Sequence, residues 1–138
     1  MKFVEEKQEG LRIYGYDDRC INLLIPRELQ LDVPVDPETG LNPLASSFII
    51  TRGQLIIDWP VACFEDLNAA SMEPLCQLAP ELILLGTGSK LRFPANDITL
   101  SIREAGIGLE VMDTPAACRT FNVLSAEGRQ VAAAVIIK

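Results

Sequence analysis

"IGLEVMDTPAACRTFNVLSAEGRQVAAAVII", residues 107–137, holds a complete strand–helix–strand unit. It opens with Ile107 to Val111, a short run that reads as a strand. Asp113-Thr114-Pro115 marks a helix start, with Thr114 as the cap and Pro115 at the first helical position, where a missing N–H is harmless. Ala117, Phe121 and Leu124 form the apolar stripe of that helix, and Gly128 supplies the stop. Val131 to Ile137 is apolar at every position. A strand wetted on one face alternates, so this run belongs at the centre of a sheet covered on both faces.

The same rhythm precedes the unit. Glu81 to Leu85 is a short buried strand ending at Gly86. Asn96-Asp97 starts a helix with Ile98, Ile102 and Ala105 on one face, and Gly106 stops it. Upstream, Asn68 caps a helix through about Leu78, with Met72, Leu75 and Leu78 three residues apart and Pro74 disturbing it. Alternating strands and helices imply right-handed crossovers with helices packed on a sheet.

The first half reads differently. Leu11 to Tyr16 alternates, Asp17-Asp18 turns, and Cys20 to Leu24 returns, which is a hairpin pattern. "IPRELQLDVPVDPETGLNP", residues 25–43, spreads Pro26, Pro34, Pro37 and Pro43 along its length. Four prolines oppose both regular helix and central strand, so this stretch is expected to be an extended surface excursion. Ser47 to Thr51, a turn at Arg52-Gly53, and Leu55 to Trp59 form a second hairpin. The expected architecture is a three-layer α/β domain over residues 1–138, with the N-terminal hairpins added at one side.

Composition narrows the function. The 138 residues are 49% hydrophobic and 22% charged, ordinary for one globular domain. Twelve Lys and Arg against nineteen Asp and Glu give a net charge of −7, which opposes phosphate backbones and anionic lipid. Nucleic acid is therefore not an expected partner. The longest apolar stretch, Val131 to Ile137, is far short of the roughly 20 residues of a spanning helix. Met1 to Glu6 turns acidic at once with no apolar h-region, so no signal peptide is read there and the cytoplasm is the expected compartment. The chain has no histidine, which removes Ser-His-Asp triads, Cys-His pairs and H-E-x-x-H metal sites. Cys20, Cys63, Cys76 and Cys118 are too dispersed for a zinc site, and no metal or cofactor is expected.

"LILLGTGSKLRFP", residues 82–94, carries two glycines and a lysine after a buried strand. A Walker loop needs G-x-x-x-x-G-K-[ST], and the spacing of Gly86, Gly88 and Lys90 does not supply it. A dinucleotide fingerprint needs a third glycine and an immediate helix, and both are missing. The structural reading of Gly86-Thr87-Gly88 is a tight turn at a crowded strand end. The functional reading is a cleft. Ligands of parallel sheets sit at the carboxyl ends of strands, and the Asp113-Thr114 helix start lies at a second such end. An anion there would use N–H donors of the helix start, with Arg119 adding charge. Against it, Asp113 and Thr114 also read as helix caps, and the Asp113 carboxylate competes for the anion position.

Cys118 sits in the first turns of the same helix beside Arg119, a setting that lowers a thiol pKa. It also flanks the apolar stripe and has no histidine to serve as a base, so a buried structural cysteine is the favoured reading. Arg119 and Asn122 project away from the stripe, toward either solvent or the cleft. Trp59 is read as core or strand-end packing, with a partner anchor as the alternative.

"LILLGTGSKLRFP" and "AGIGLEVMDTPAACRTFNVLSAEGRQVAAAVI", residues 105–136, together resemble the Mth-type family of unknown function. Its members include the mitochondrial complex I assembly factor 3 and the adipogenesis-associated Mth-domain protein. The resemblance runs from about Ser47 to the C-terminus. It rests on the G-T-G turn, G-I-G-[LV]-E-V-M-D-T and A-A-C-R-T-[FY]-N in that order. The N-terminal hairpin fits more loosely, and residues 26–43 read as a surface insertion. The resemblance implies three layers around a mixed central sheet. It implies no established catalysis, and the best-understood member acts by protein association during respiratory-complex assembly. The residues matching the signature are Gly86, Thr87, Gly88, Asp113, Thr114, Cys118, Arg119 and Asn122, and their clustering implies a shared pocket.

Three functions follow. The leading one is a non-enzymatic binding or assembly-accessory protein with a protein partner. The second is a small-molecule or anion binder using Gly86-Gly88 and Asp113-Thr114. The third, weakened by the missing histidine, is an enzyme using Asp113 or Cys118.

Overall fold

The computed structural model describes residues 10–17 and 19–137, so the expected leader-free start at Met1 to Glu6 and the turn residue Asp18 lie outside the described residues. Five strands form the central sheet in the order β5-β4-β8-β6-β7. They are β4 (Phe48–Ile50), β5 (Leu55–Ile56), β6 (Leu82–Gly86), β7 (Gly108–Met112) and β8 (Val131–Val135). β6 runs parallel to both β7 and β8, whereas β4 is antiparallel to β8 and to β5, so the sheet is mixed. A separate antiparallel sheet joins β1 (Arg12–Tyr16), β2 (Ile21–Leu24) and β3 (Asn42–Leu44).

The all-apolar run does occupy the middle of the central sheet, and every residue of β8 is buried. Its two faces feed two cores. On one side Leu84, Ala133 and Val135 pack with Phe121 and Cys118 of helix α3 (Thr114–Ala126) and with Ile13, Ile21 and Leu23 of the small sheet. On the other, Ile83, Leu85, Ala132 and Ala134 pack with Met72, Leu75, Trp59 and Ile102. Leu75 belongs to helix α1 (Glu73–Leu78) and Ile102 to helix α2 (Leu100–Glu104). Three layers result, and the alanines of β8 leave room for both outer layers. Trp59 is core, its indole N–H donating to the Ser71 carbonyl at 2.9 Å.

Several local readings shift. Asn68 caps a 310 turn, Ala69–Met72, through a reciprocal box with Ser71, and α1 starts only at Glu73. Pro74 therefore lies in the first turn of α1, where it fits, instead of breaking a longer helix. The α2 helix begins at Leu100, four residues after Asn96. A turn closed by the Ile98 N–H on the Ala95 carbonyl precedes it, and Arg103 reaches back to the Asn96 carbonyl and the Thr99 hydroxyl. Ala105 is consequently exposed rather than on the apolar face.

The proline-bearing stretch is extended apart from a 310 turn at Arg27–Leu29 and a turn at residues 37–39 closed by the Gly40 N–H on the Asp36 carbonyl, and Leu29, Leu31 and Val33 pack against the first core. Pro43 stands inside β3, opposite Asn22. β3 is an edge strand, so a residue without an N–H is tolerated there. Among the described residues no helix is long and apolar enough to cross a membrane.

Because β8 is dry on both faces, Val135→Asp places an unpaired carboxylate in the first core, at a cost of several kcal/mol. The variant is expected in the insoluble fraction on expression. A folded variant with an unchanged melting temperature would contradict the placement.

Candidate functional site

The carboxyl ends of β6 and β7 meet at one corner of the sheet, where five of the eight signature residues gather. The Thr87 N–H donates to the Met112 carbonyl at 2.9 Å, extending the β6–β7 pairing by one residue. Beyond it, Gly88 and Thr114 are bonded twice. The Gly88 N–H donates to the Thr114 hydroxyl at 2.8 Å, and the Thr114 N–H donates to the Gly88 carbonyl at 2.8 Å. The same hydroxyl donates onward to the carbonyl of Ile136, just past β8. One buried side chain thus ties together the ends of three strands. The Gly88 backbone has φ of +102°, a region that favours glycine. Gly86 is required by contact instead. A Cβ there would lie 3.1 Å from both the Ala117 Cβ and the Thr114 hydroxyl.

The helix cap lies one residue earlier than its sequence suggests. Asp113, not Thr114, is the N-cap, its carboxylate accepting the Ala116 N–H at 2.9 Å. Thr114 is then free of capping because its hydroxyl is spent on Gly88 and Ile136. The donors of the helix start are likewise engaged. Thr114 bonds Gly88, Pro115 has no N–H, and Ala116 bonds Asp113. Thr87 organises the following loop, its hydroxyl donating to the Lys90 carbonyl at 2.6 Å and accepting the Arg92 N–H at 3.2 Å.

The remaining signature residues run along α3. Cys118 is buried, and loss of solvation pushes its thiol up to about 12, with nearby Arg119 offsetting only part of that rise. Such a thiol stays protonated and inert at neutral pH. Asn122 is half-buried and turns its amide to the first hairpin. Its amide accepts the Ile13 N–H at 3.0 Å and donates to the Ile13 carbonyl at 2.6 Å, docking β1 on α3 as a neighbouring strand would. Exposed Arg119 donates to the Tyr16 hydroxyl at 2.9 Å.

A cavity of about 480 Å³ opens beside this corner, lined by Tyr16, Asp17, Ile21, Gly88, Ser89, Thr114, Pro115 and Ile137. The two turns therefore do not face each other across a gap. They clasp, and the cavity lies between the clasp and the tip of the first hairpin. Of the eight signature residues only Gly88 and Thr114 reach it. Asp17, held below the usual carboxylate range by the backbone N–H groups of Arg19 and Cys20, supplies a fixed negative charge at the rim. Tyr16 and Asp17 escaped sequence reasoning because they stand far from both halves of the corner along the chain and no spacing pattern links them. Ser89 was within reach of it, as the residue next to the second glycine. Among the described residues no cluster of three or more acidic or cysteine side chains could hold a metal ion.

A family described as "Protein of unknown function (DUF498/DUF598)" matches residues 38–136. NADH dehydrogenase [ubiquinone] 1 alpha subcomplex assembly factor 3 of Danio rerio is 39% identical over 134 residues, 96% of this chain and 67% of that protein. The chain spans less of other such relatives, 46% of the length of the Rattus norvegicus factor. A Xanthomonas campestris protein solved by NMR superposes with a TM-score of 0.73 at 33% identity, covering 99% of this chain and 92% of that one. A Bordetella pertussis protein described as a Mth938-like domain has the same fold, with a TM-score of 0.72 at 21% identity over 99% of this chain and 90% of that one. The Mth-type resemblance and its three-layer fold are both borne out.

Burial of Cys118 makes stability pH-dependent. The folded thiol holds its proton up to about pH 12, whereas the unfolded thiol releases it above about 9, so stability falls as pH rises through that interval. The loss is at most about 1.4 kcal/mol per pH unit. Between pH 9 and 11 the melting temperature of the native chain should fall more steeply than that of Cys118→Ala. Parallel curves would mean that the thiol is solvated.

Proposed function

We propose, for a chain that belongs to the DUF498/DUF598 family of proteins of unknown function, that it is a non-enzymatic accessory protein in assembly of the respiratory NADH dehydrogenase. It works by protein association from the cytoplasm. The observation that carries this reading is the similarity to the Danio rerio assembly factor across 96% of the chain. The chemistry of the corner supports it. Thr87, Gly88, Asp113, Thr114 and Asn122 satisfy one another or the backbone, and Cys118 is a protonated core thiol. Asp113 and Cys118 are the two groups on which the enzyme reading rests.

An ordered apolar tip adds to the case. Leu91 and Phe93 are 51% and 71% exposed in the loop that Thr87 anchors. Arg92 braces that loop by an ion pair to Glu65 at 2.6 Å and by stacking over the Phe64 ring at 4.2 Å. Exposed apolar side chains on a fixed support suit a protein partner. The cavity beside Gly88 favours a second reading, a small-molecule site whose ligand would meet Ser89 and the Tyr16 hydroxyl that Arg119 holds. Ser89→Trp, which fills that cavity, abolishes binding under the second reading and leaves assembly intact under the first.

Deleting the gene in the encoding organism should reduce fully assembled NADH dehydrogenase, resolved on native gels, while other respiratory complexes persist. Asp113→Asn, which keeps the cap but removes the carboxylate, and Cys118→Ala should both restore assembly. Unchanged assembly in the deletion strain would contradict the proposal. Failure of either folded variant to complement would revive the enzyme reading.

A further inference from the structure

The central sheet ends on one side at β7, and among the described residues no strand lies on its outer side. The parallel register pairs Gly108, Glu110 and Met112 with Leu82, Leu84 and Gly86. The Gly108 N–H reaches the Glu81 carbonyl and the Met112 carbonyl receives the Thr87 N–H, so the even-numbered residues turn their backbone groups toward β6. Leu109 and Val111 therefore turn theirs outward. Their side chains are anchored in the second core, which fixes those outward groups in place. Glu110 projects to the opposite face, exposed, and no Lys or Arg among the described residues pairs with it.

We infer that the outer edge of β7 is a docking site for an extended segment of another protein, one that carries a lysine or arginine opposite Glu110. This rests on the protein-association reading and names the surface and the partner chemistry. An open edge presents rigid donors and acceptors that only another extended backbone satisfies in register. The side chain nearest the new strand selects its sequence. An unpaired carboxylate on a chain of net charge −7 favours a basic residue. A second copy of this chain is the poorer occupant. Antiparallel self-pairing that uses both Leu109 and Val111 centres on Glu110 and sets two carboxylates directly opposite each other, which destabilises the pair.

Val111→Pro tests the edge selectively. It removes an N–H that points outward, so the ladder to β6 survives, and the proline ring blocks an added strand. Melting curves establish that the variant is folded. In the deletion strain, wild-type protein should restore NADH dehydrogenase assembly, and Val111→Pro and Glu110→Lys should not. Full restoration by folded Val111→Pro overturns the docking site while leaving the assembly reading standing.

A second arm is independent of assembly. The labelled native chain is titrated with the peptide Thr-Val-Lys-Val-Thr-Val and with its glutamate-for-lysine counterpart, and amide shifts are followed by NMR. The lysine peptide should move the Leu109 and Val111 amides most, and the glutamate peptide should bind about fivefold more weakly. Shifts elsewhere only, equal affinity for both peptides, or the same shifts appearing with protein concentration alone would each overturn the inference. If deletion leaves assembly unchanged, the assembly reading falls, and the peptide titration alone decides the edge.

Discussion

The fold turns on one hydroxyl. Thr114 lies at the start of α3, yet its side chain serves the sheet, accepting the Gly88 N–H and donating to the Ile136 carbonyl. Those two backbone groups come from strand ends that the sheet's own ladders no longer reach. Without the hydroxyl they would be buried and unpaired, a penalty of about 1–3 kcal/mol for each. The hydroxyl can reach them only because Gly86 has no side chain and α3 settles against β6. Asp113 then takes over the cap that Thr114 cannot supply. A short string of residues, G-T-G on one strand end and D-T on the next, is accounted for by this single geometric demand.

That demand also explains how a pattern resembling a ligand site arises without requiring one. Glycines at a strand end and a hydroxyl at a helix start are the pieces from which phosphate sites are built. Here the backbone donors point at the protein's own acceptors. The free valences of the molecule lie elsewhere, at the braced tip bearing Leu91 and Phe93 and along the outer edge of β7. An exposed apolar tip and an open strand edge suit a protein partner, the reading proposed above.

Most of the fold was legible in the sequence because burial writes itself into periodicity. Val131 to Val135 has no polar residue, and that alone places β8 centrally. The hairpin over Leu11 to Leu24 follows from alternation. What escaped was set by contacts distant in sequence. Thr114 and Asp113 are equally good caps by residue type, and the choice between them depends on Gly88 and Ile136. Asn96 and Asp97 look like a helix start, but Arg103 folds back to claim the Asn96 carbonyl, and the helix opens later. Asn122 projects from the apolar stripe as expected, yet its partner is a strand 109 residues away. Of the candidate site, the proximity of the two turns was readable from topology. The clasp between them was not, because hydrogen-bond direction leaves no trace in residue type.

Native-state hydrogen exchange at Gly88 measures the clasp most directly. If the Gly88–Thr114 clasp locks the corner, the Gly88 and Thr114 amides should exchange only through global unfolding. Their opening free energies should then equal that of the β8 core amides and fall in step with it as denaturant is added. A Gly88 amide that exchanges through a low-energy local opening, insensitive to denaturant and close to the values of the exposed 89–95 loop, would show that the corner is a mobile turn and contradict the account.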